Sequence, residues 1–201
     1  MVVVSGSNAQ HVAEQLAQSL GWSHVKLEAR RFPDSEGYIR IPEDEIEAIR
    51  SEPVVVVSNT FPDAGIVETM LILKAVSDVR KGSLENLRGI EPQKMEDIGP
   101  GVYLAVPYFG YSRQDKRFKP GEVISARAIA DMLAGQCDGL AVLDLHAPKV
   151  LENLSVPVAF TSAMPELASH LQSEVNPDFI LTPDKGAIDR ASEVANLIGC
   201  E

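Results

Sequence analysis

Apolar, β-branched runs recur along this chain, each followed by a stretch with helical spacing, and that alternation leaves few architectures open. Met1–Ser5, Pro53–Ser58, Val102–Pro107 and Gly139–Leu145 are close to unbroken apolar runs. Runs of this kind mark strands covered on both faces, as in parallel sheets. His11–Leu20 carries Val12, Leu16 and Leu20 at helical spacing after a turn with a capping residue at Gly6–Asn8, and Gly21 stops it. Ile66–Val79, Ile124–Leu133 with Ser125 as N-cap, Met164–Glu174 and Gly186–Ile198 are the other predicted helices. Val156–Phe160 and Asp178–Leu181 are further predicted strands, and His146–Leu154 a loop or short helix. His24–Phe32 and Tyr38–Ile41 flank the tight turn Pro33–Gly37, which predicts a hairpin. Residues 80–100 are polar and aperiodic, a surface excursion with room for one short helix.

Alternation from end to end implies α/β architecture with parallel sheets and helices on both faces. Thr60-Phe-Pro-Asp-Ala-Gly65 and Thr182-Pro-Asp-Lys-Gly186 both lead an apolar strand into a helix. The echo suggests two similar units, residues 1–145 and 146–201, although Pro-Asp-x-Gly is also common turn chemistry. The second unit is short. Its last helix leaves the alternation without a next strand, so the chain is expected to be incomplete on its C-terminal side.

With 201 residues, 45% of them hydrophobic, the chain can bury a sizeable core. No apolar run approaches a membrane span, so a cytoplasmic protein is expected. Cys137 and Cys200 have neither disulfide-framework nor metal-ligand spacing. A net charge of −11 argues against nucleic acid as a partner.

Against that acidic background one loop is cationic. Between Val102–Pro107 and the helix at Ile124 lie Arg113, Lys116, Arg117 and Lys119, with Arg127 just beyond; Asp115 and Glu122 are the only carboxylates in the window. Arg offers a planar fork to phosphate oxygens and Lys a point charge, which suits a small polyanion. A solvated loop pairing with acidic neighbours is the competing reading.

In open parallel sheets, ligands sit beyond the carboxyl ends of the strands. The cationic loop, Asp144, His146 and Asp184 all fall at such ends. His146 and Asp184 would suit a Mg²⁺ held partly through water. By spacing alone, the leading reading is that both cap helices. Asp34 and Glu36, two apart on the hairpin turn, would share a side if that segment were extended. Next to a purine site they would accept hydrogen bonds from an exocyclic amine or ribose hydroxyls; otherwise they are a solvated tip.

Phe32-Pro-Asp-Ser-Glu36, Pro107-Tyr-Phe-Gly-Tyr-Ser-Arg-Gln-Asp-Lys-Arg117, Ile124-Ser-Ala-Arg127, Asp144-Leu-His-Ala147 and Thr182-Pro-Asp-Lys-Gly186 occur in that order. Together they resemble ribose-phosphate pyrophosphokinase, most closely its archaeal-type branch, across almost the whole chain. The resemblance implies two phosphoribosyltransferase-like α/β domains, the second incomplete here. It implies transfer of the diphosphoryl group of Mg-ATP to the C1 hydroxyl of ribose 5-phosphate, in a dimer or hexamer of identical chains. Carried onto this sequence, Asp34, Ser35 and Glu36 match the adenosine-contacting turn, Arg113 and Gln114 the ATP-binding pair, and His146 and Asp184 the metal-linked positions.

The chain departs from the family pattern in four places. Ser35 stands where Gly is usual and is acceptable if its φ stays negative. Lys185 replaces a small residue, and residues 80–100 are longer than the usual link. The family's catalytic Lys-x-Arg pair and its acidic, Thr- and Gly-rich ribose-phosphate loop lie beyond the position of Glu201. This chain alone is therefore expected to bind nucleotide without normal turnover. A non-catalytic, nucleotide-binding regulatory subunit is the alternative. A phosphoribosyltransferase is a weaker third reading, because it would need that same phosphate loop.

Overall fold

The computed structural model describes residues 1–81 and 100–200. The expected excursion over residues 80–100, with its short helix, falls almost wholly outside the described residues. The chain divides into two compact units, Met1–Phe160 and Thr161–Glu201. The division expected near residue 145 falls inside the first unit. Val150 and Leu151, on a 3₁₀ turn at Pro148–Leu151, are buried in that unit's core and hold the segment there.

The first unit is built on a sheet of order β2-β1-β5-β6-β7-β8. Its strands are β1 (Val2–Ser5), β2 (Ser23–Lys26), β5 (Val54–Val57), β6 (Val102–Val106), β7 (Gly139–Leu143) and β8 (Val158–Thr161). β1 pairs in parallel with β2 and β5, β5 with β6, and β6 with β7. The valine runs alternate between two apolar layers. Val2, Val4, Val54, Val56, Val102, Leu104 and Val106 enter a large core on one face. Val3 and Val57 enter a smaller one on the other, built on Ala9, Ala13 and Ala17. The two-residue period of a strand makes this division, and a buried valine gains about 1.5–3 kcal/mol over an exposed one.

α3 (Asp63–Arg80) and α4 (Ser125–Ala134) supply Ile72, Leu73, Val76, Ile129 and Leu133 to the large core. α1 (Gln10–Leu20) supplies the alanines of the smaller layer and stops at Gly21, whose φ is +66°. α2 (Ile46–Ser51) precedes β5. Two capping expectations are corrected. No side chain caps α1, because Asn8 is engaged elsewhere; and α4 begins at Ser125 itself, with Ile124 at the N-cap and no side-chain cap.

The predicted strand His24–Phe32 is two strands. β2 joins the main sheet, whereas β3 (Glu28–Arg31) pairs antiparallel with β4 (Gly37–Arg40). Leu27 is the pivot, buried at 2% exposure, with its N–H donating to Ser5 O at 2.9 Å.

In the second unit α5 (Met164–Glu174) and α6 (Ile188–Ile198) pack together, and Gly199 closes α6 at φ +83°. The strand expected at Asp178–Leu181 is absent. A strand requires a neighbour for its hydrogen-bond ladder. Among the described residues none pairs with this segment, and Leu181 is 92% exposed.

Candidate functional site at the carboxyl edge of the sheet

Parallel pairing brings four loops out at one edge of the first unit. Ser5 is level with Val57, Val57 with Ala105, and Val106 with Val142. The loops after β1 (Gly6–Ala9), β5 (Ser58–Pro62), β6 (Pro107–Ile124) and β7 (Asp144–Ala147) therefore start side by side. The cationic loop and His146 leave from neighbouring strands.

The base of the cationic loop is bonded to the β5 loop. Tyr108 N–H donates to Asn59 Oδ1 at 2.9 Å, Thr60 N–H to Tyr108 O at 3.1 Å, and Gly110 N–H to Thr60 Oγ1 at 2.8 Å. Gly110 is required here, because a Cβ on it would collide with the backbone oxygen of Thr60. The Tyr108 and Phe61 rings meet edge to face at 5.6 Å. Tyr111, at φ +61°, donates its hydroxyl to Asp63 Oδ1 at 2.6 Å. That bond, then the charge of Asp63, holds the phenol's pKa above its ordinary value.

The tip of the loop is organised by one acid. Glu122 Oε2 accepts from Phe118 N–H at 2.7 Å and Lys119 N–H at 3.1 Å, and Arg117 Nε donates to Glu122 O at 2.8 Å. Gln114 is held through its backbone, its N–H donating to Tyr111 O and its O accepting from Ala126 N–H. Arg113 is exposed, and among the described residues nothing pairs with its guanidinium. Arg127 is different. Its Nε bonds Asp131 Oδ1 at 2.8 Å, and its terminal nitrogens donate to Glu152 O at 2.6 Å and Asn153 O at 3.2 Å. Of the five cations counted in the sequence, this one is therefore committed to holding α4 against the chain after the 3₁₀ turn.

His146 is exposed on the β7 loop. It caps nothing: Ala147 occupies the N-cap of the following 3₁₀ turn, with no side-chain cap. Asp184 lies in the second unit and does cap. Its Oδ1 accepts from Gly186 N–H at 2.8 Å, at the start of the turn Lys185–Ala187.

Asp34, Ser35 and Glu36 are exposed at the tip of the β3–β4 hairpin. The segment is not extended, so the two carboxylates do not share a strand face. Ser35 N–H bonds Phe32 O, Phe32 N–H bonds Glu36 O, and Asp34 Oδ1 accepts from Glu36 N–H at 3.1 Å. This is a three-residue hairpin loop, which places its third residue in the left-handed region. Ser35 accordingly has φ +76°, so the condition under which a serine would sit here without strain is not met. Arg31 Nη1 secures the turn by donating to Ser35 O at 2.8 Å.

Among the described residues no three His, Cys, Asp or Glu side chains cluster in a way that would hold a metal ion. The expected Mg²⁺ needs no such cage, because Mg²⁺ keeps several waters and takes ligands from substrate phosphates. The sequence reading passed over Asn8, Asn59, Thr60 and Asp63, which build the edge. The signal was present, as polar residues directly after apolar runs, but turn chemistry explains those equally well.

The family model for the N-terminal domain of ribose phosphate pyrophosphokinase matches residues 1–87 and 100–136. A curated ribose-phosphate pyrophosphokinase of Methanothermobacter thermautotrophicus is 36% identical over 203 residues, covering 100% of this chain and 63% of that protein. One from Sulfurisphaera tokodaii is 31% identical, covering 100% of this chain and 62% of that protein. The chain thus spans under two thirds of the length of these relatives. The crystal structure of phosphoribosylpyrophosphate synthetase from Mycobacterium smegmatis superposes with a TM-score of 0.73 at 22% identity, covering 98% of this chain and 61% of that one. That likeness bears on the fold.

Proposed function

This chain belongs to the ribose-phosphate pyrophosphokinase family, and on that premise we propose that its carboxyl edge is the nucleotide-facing part of such an enzyme. The reaction is transfer of the diphosphoryl group of Mg-ATP to the C1 hydroxyl of ribose 5-phosphate, giving phosphoribosyl pyrophosphate and AMP. The observation that carries the reading is Arg113, exposed and without a partner among the described residues, on a loop whose base is fixed to the sheet.

Diphosphoryl transfer leaves negative charge on non-bridging oxygens, so binding and catalysis depend on placement and neutralisation. Arg113 offers a fork to those oxygens. Gln114 offers a side-chain amide beside it. Asp34, Ser35 and Glu36 offer acceptors for an adenosine moiety, in this subunit or a neighbouring copy. Mg²⁺ would shield the triphosphate; His146 in the first unit and, separately, Asp184 in the second are proposed as metal-linked positions acting through bound water. Asp184 keeps Oδ2 for that role, since Oδ1 holds the turn. The protein is proposed to work in the cytoplasm as a homo-oligomer.

Calorimetric titration of the chain with Mg-ATP tests the reading. Saturable binding that weakens in Arg113→Ala is expected. Binding insensitive to that change, or none at all, removes the support. An assay for AMP release in the presence of ribose 5-phosphate then separates a catalytic chain from a nucleotide-binding subunit.

A further inference from the structure

Two asparagines tie three of the four edge loops together. Asn8, from the loop after β1, accepts at Oδ1 from Ser58 Oγ at 3.2 Å and from Asn59 N–H at 3.0 Å. Its Nδ2 donates to Asn59 O at 3.2 Å. Asn59, after β5, donates its own Nδ2 to Asn8 O at 3.0 Å and turns Oδ1 to Tyr108 N–H, the first residue past Pro107 in the cationic loop.

Donor and acceptor are both used on each side-chain amide, so neither can turn over without setting like groups against each other. Turning Asn59 would aim NH₂ at the Tyr108 N–H. The relay thus fixes one orientation of the loop base. Beyond Gly110 the loop is held by the Tyr111–Asp63 bond to α3, by Ala126 N–H of α4 on Gln114 O, and by its own Glu122 cluster. The course on which the loop sets out toward Arg113 is thus fixed where it leaves the sheet.

We propose that Asn8 and Asn59 are positioning residues that aim the cationic loop, and with it Arg113, at the bound polyanion. The inference rests on the nucleotide reading above. Neither side chain brings a charge; their contribution is geometry. A displacement on the order of 1 Å at a charge-assisted contact is enough to lose a large part of its value.

Hydrogen–deuterium exchange and Mg-ATP calorimetry on the full chain test this. In Asn59→Ala, exchange over residues 108–114 should rise at least tenfold while residues 116–122 stay at the wild-type rate. Mg-ATP should bind about tenfold more weakly when measured well below the variant's melting midpoint. Asn8→Ala touches no residue of the cationic loop directly, so a smaller change of the same kind there is the mark of a relay. Asn59→Asp keeps an acceptor for Tyr108 N–H but sets its second oxygen against Asn8 O, so its protection should fall between wild type and Asn59→Ala. Wild-type exchange over 108–114 in both alanine variants overturns the proposal. So does a loosened loop with unchanged Mg-ATP affinity. If Asn59→Ala does not fold, Asn8→Ala decides by the same criteria. A wild-type chain that does not bind Mg-ATP overturns the nucleotide reading, and the exchange rates then decide whether the pair orients the loop.

Discussion

Tyr111 and Asp63 are joined by a 2.6 Å hydrogen bond that links the loop after β6 to the first turn of α3. Residues 48 apart in sequence thus meet at the sheet's carboxyl edge, with the phenol donating and the carboxylate accepting.

That bond has a pH signature. Folding raises the Tyr111 pKa, first through the Asp63 hydrogen bond and then through its charge. A raised value means the neutral phenol is favoured in the folded state. Its stabilising contribution is complete below the pH where an unfolded tyrosine ionises, about 10, and is lost as pH rises through the folded value. Phenolate absorbance of the wild type minus that of Tyr111→Phe should show one late-titrating tyrosine, and Asp63→Asn should bring it earlier. A Tyr111 titration already at the ordinary position would contradict the bond.

Arg113 and Arg127 sit in one cationic stretch but should fail differently. Arg113→Ala should weaken Mg-ATP binding by about 2 kcal/mol, roughly thirtyfold, with little change in melting. Arg127→Ala removes the hydrogen bonds to the exposed carbonyls of Glu152 and Asn153, which water then solvates, and should cost about 1 kcal/mol of folding stability, read by denaturant titration, with less effect on nucleotide. The reverse pattern would exchange their roles.

Ser35→Gly should stabilise the chain by about 1 kcal/mol, because a left-handed residue with a Cβ costs about 1–2 kcal/mol that glycine avoids. A denaturation midpoint unchanged or lowered would show that the serine side chain compensates locally.

Gly110→Ala should destabilise by about 1–3 kcal/mol, since the new methyl would meet backbone, Thr60 O, and not a movable side chain. Chemical denaturation measures the loss. A neutral result would mean that the loop base moves freely, contrary to its three hydrogen bonds to Asn59 and Thr60.

The sheet was legible because strand burial leaves a strong mark. Val54–Val57 can be little else than a covered strand. Where the outcome depends on long-range partners, the sequence was silent or misleading. Leu27 splits a predicted strand because Ser5 O captures its N–H. Asp178–Leu181 has strand composition but no described neighbour to pair with. At the site, the cationic character of residues 113–119 was readable from charge alone. The diversion of Arg127 was not, because its acceptors are backbone carbonyls 25 and 26 residues away, which carry no side-chain signature.

Glu122 folds residues 117–122 onto themselves, which makes the end of the cationic loop a self-sufficient cassette. Mutational drift within it can rewrite the surface the loop exposes while leaving the valine layers undisturbed. Loop surface and core packing are thereby separable in this protein, and a graft of this segment onto another parallel sheet would carry its local shape along.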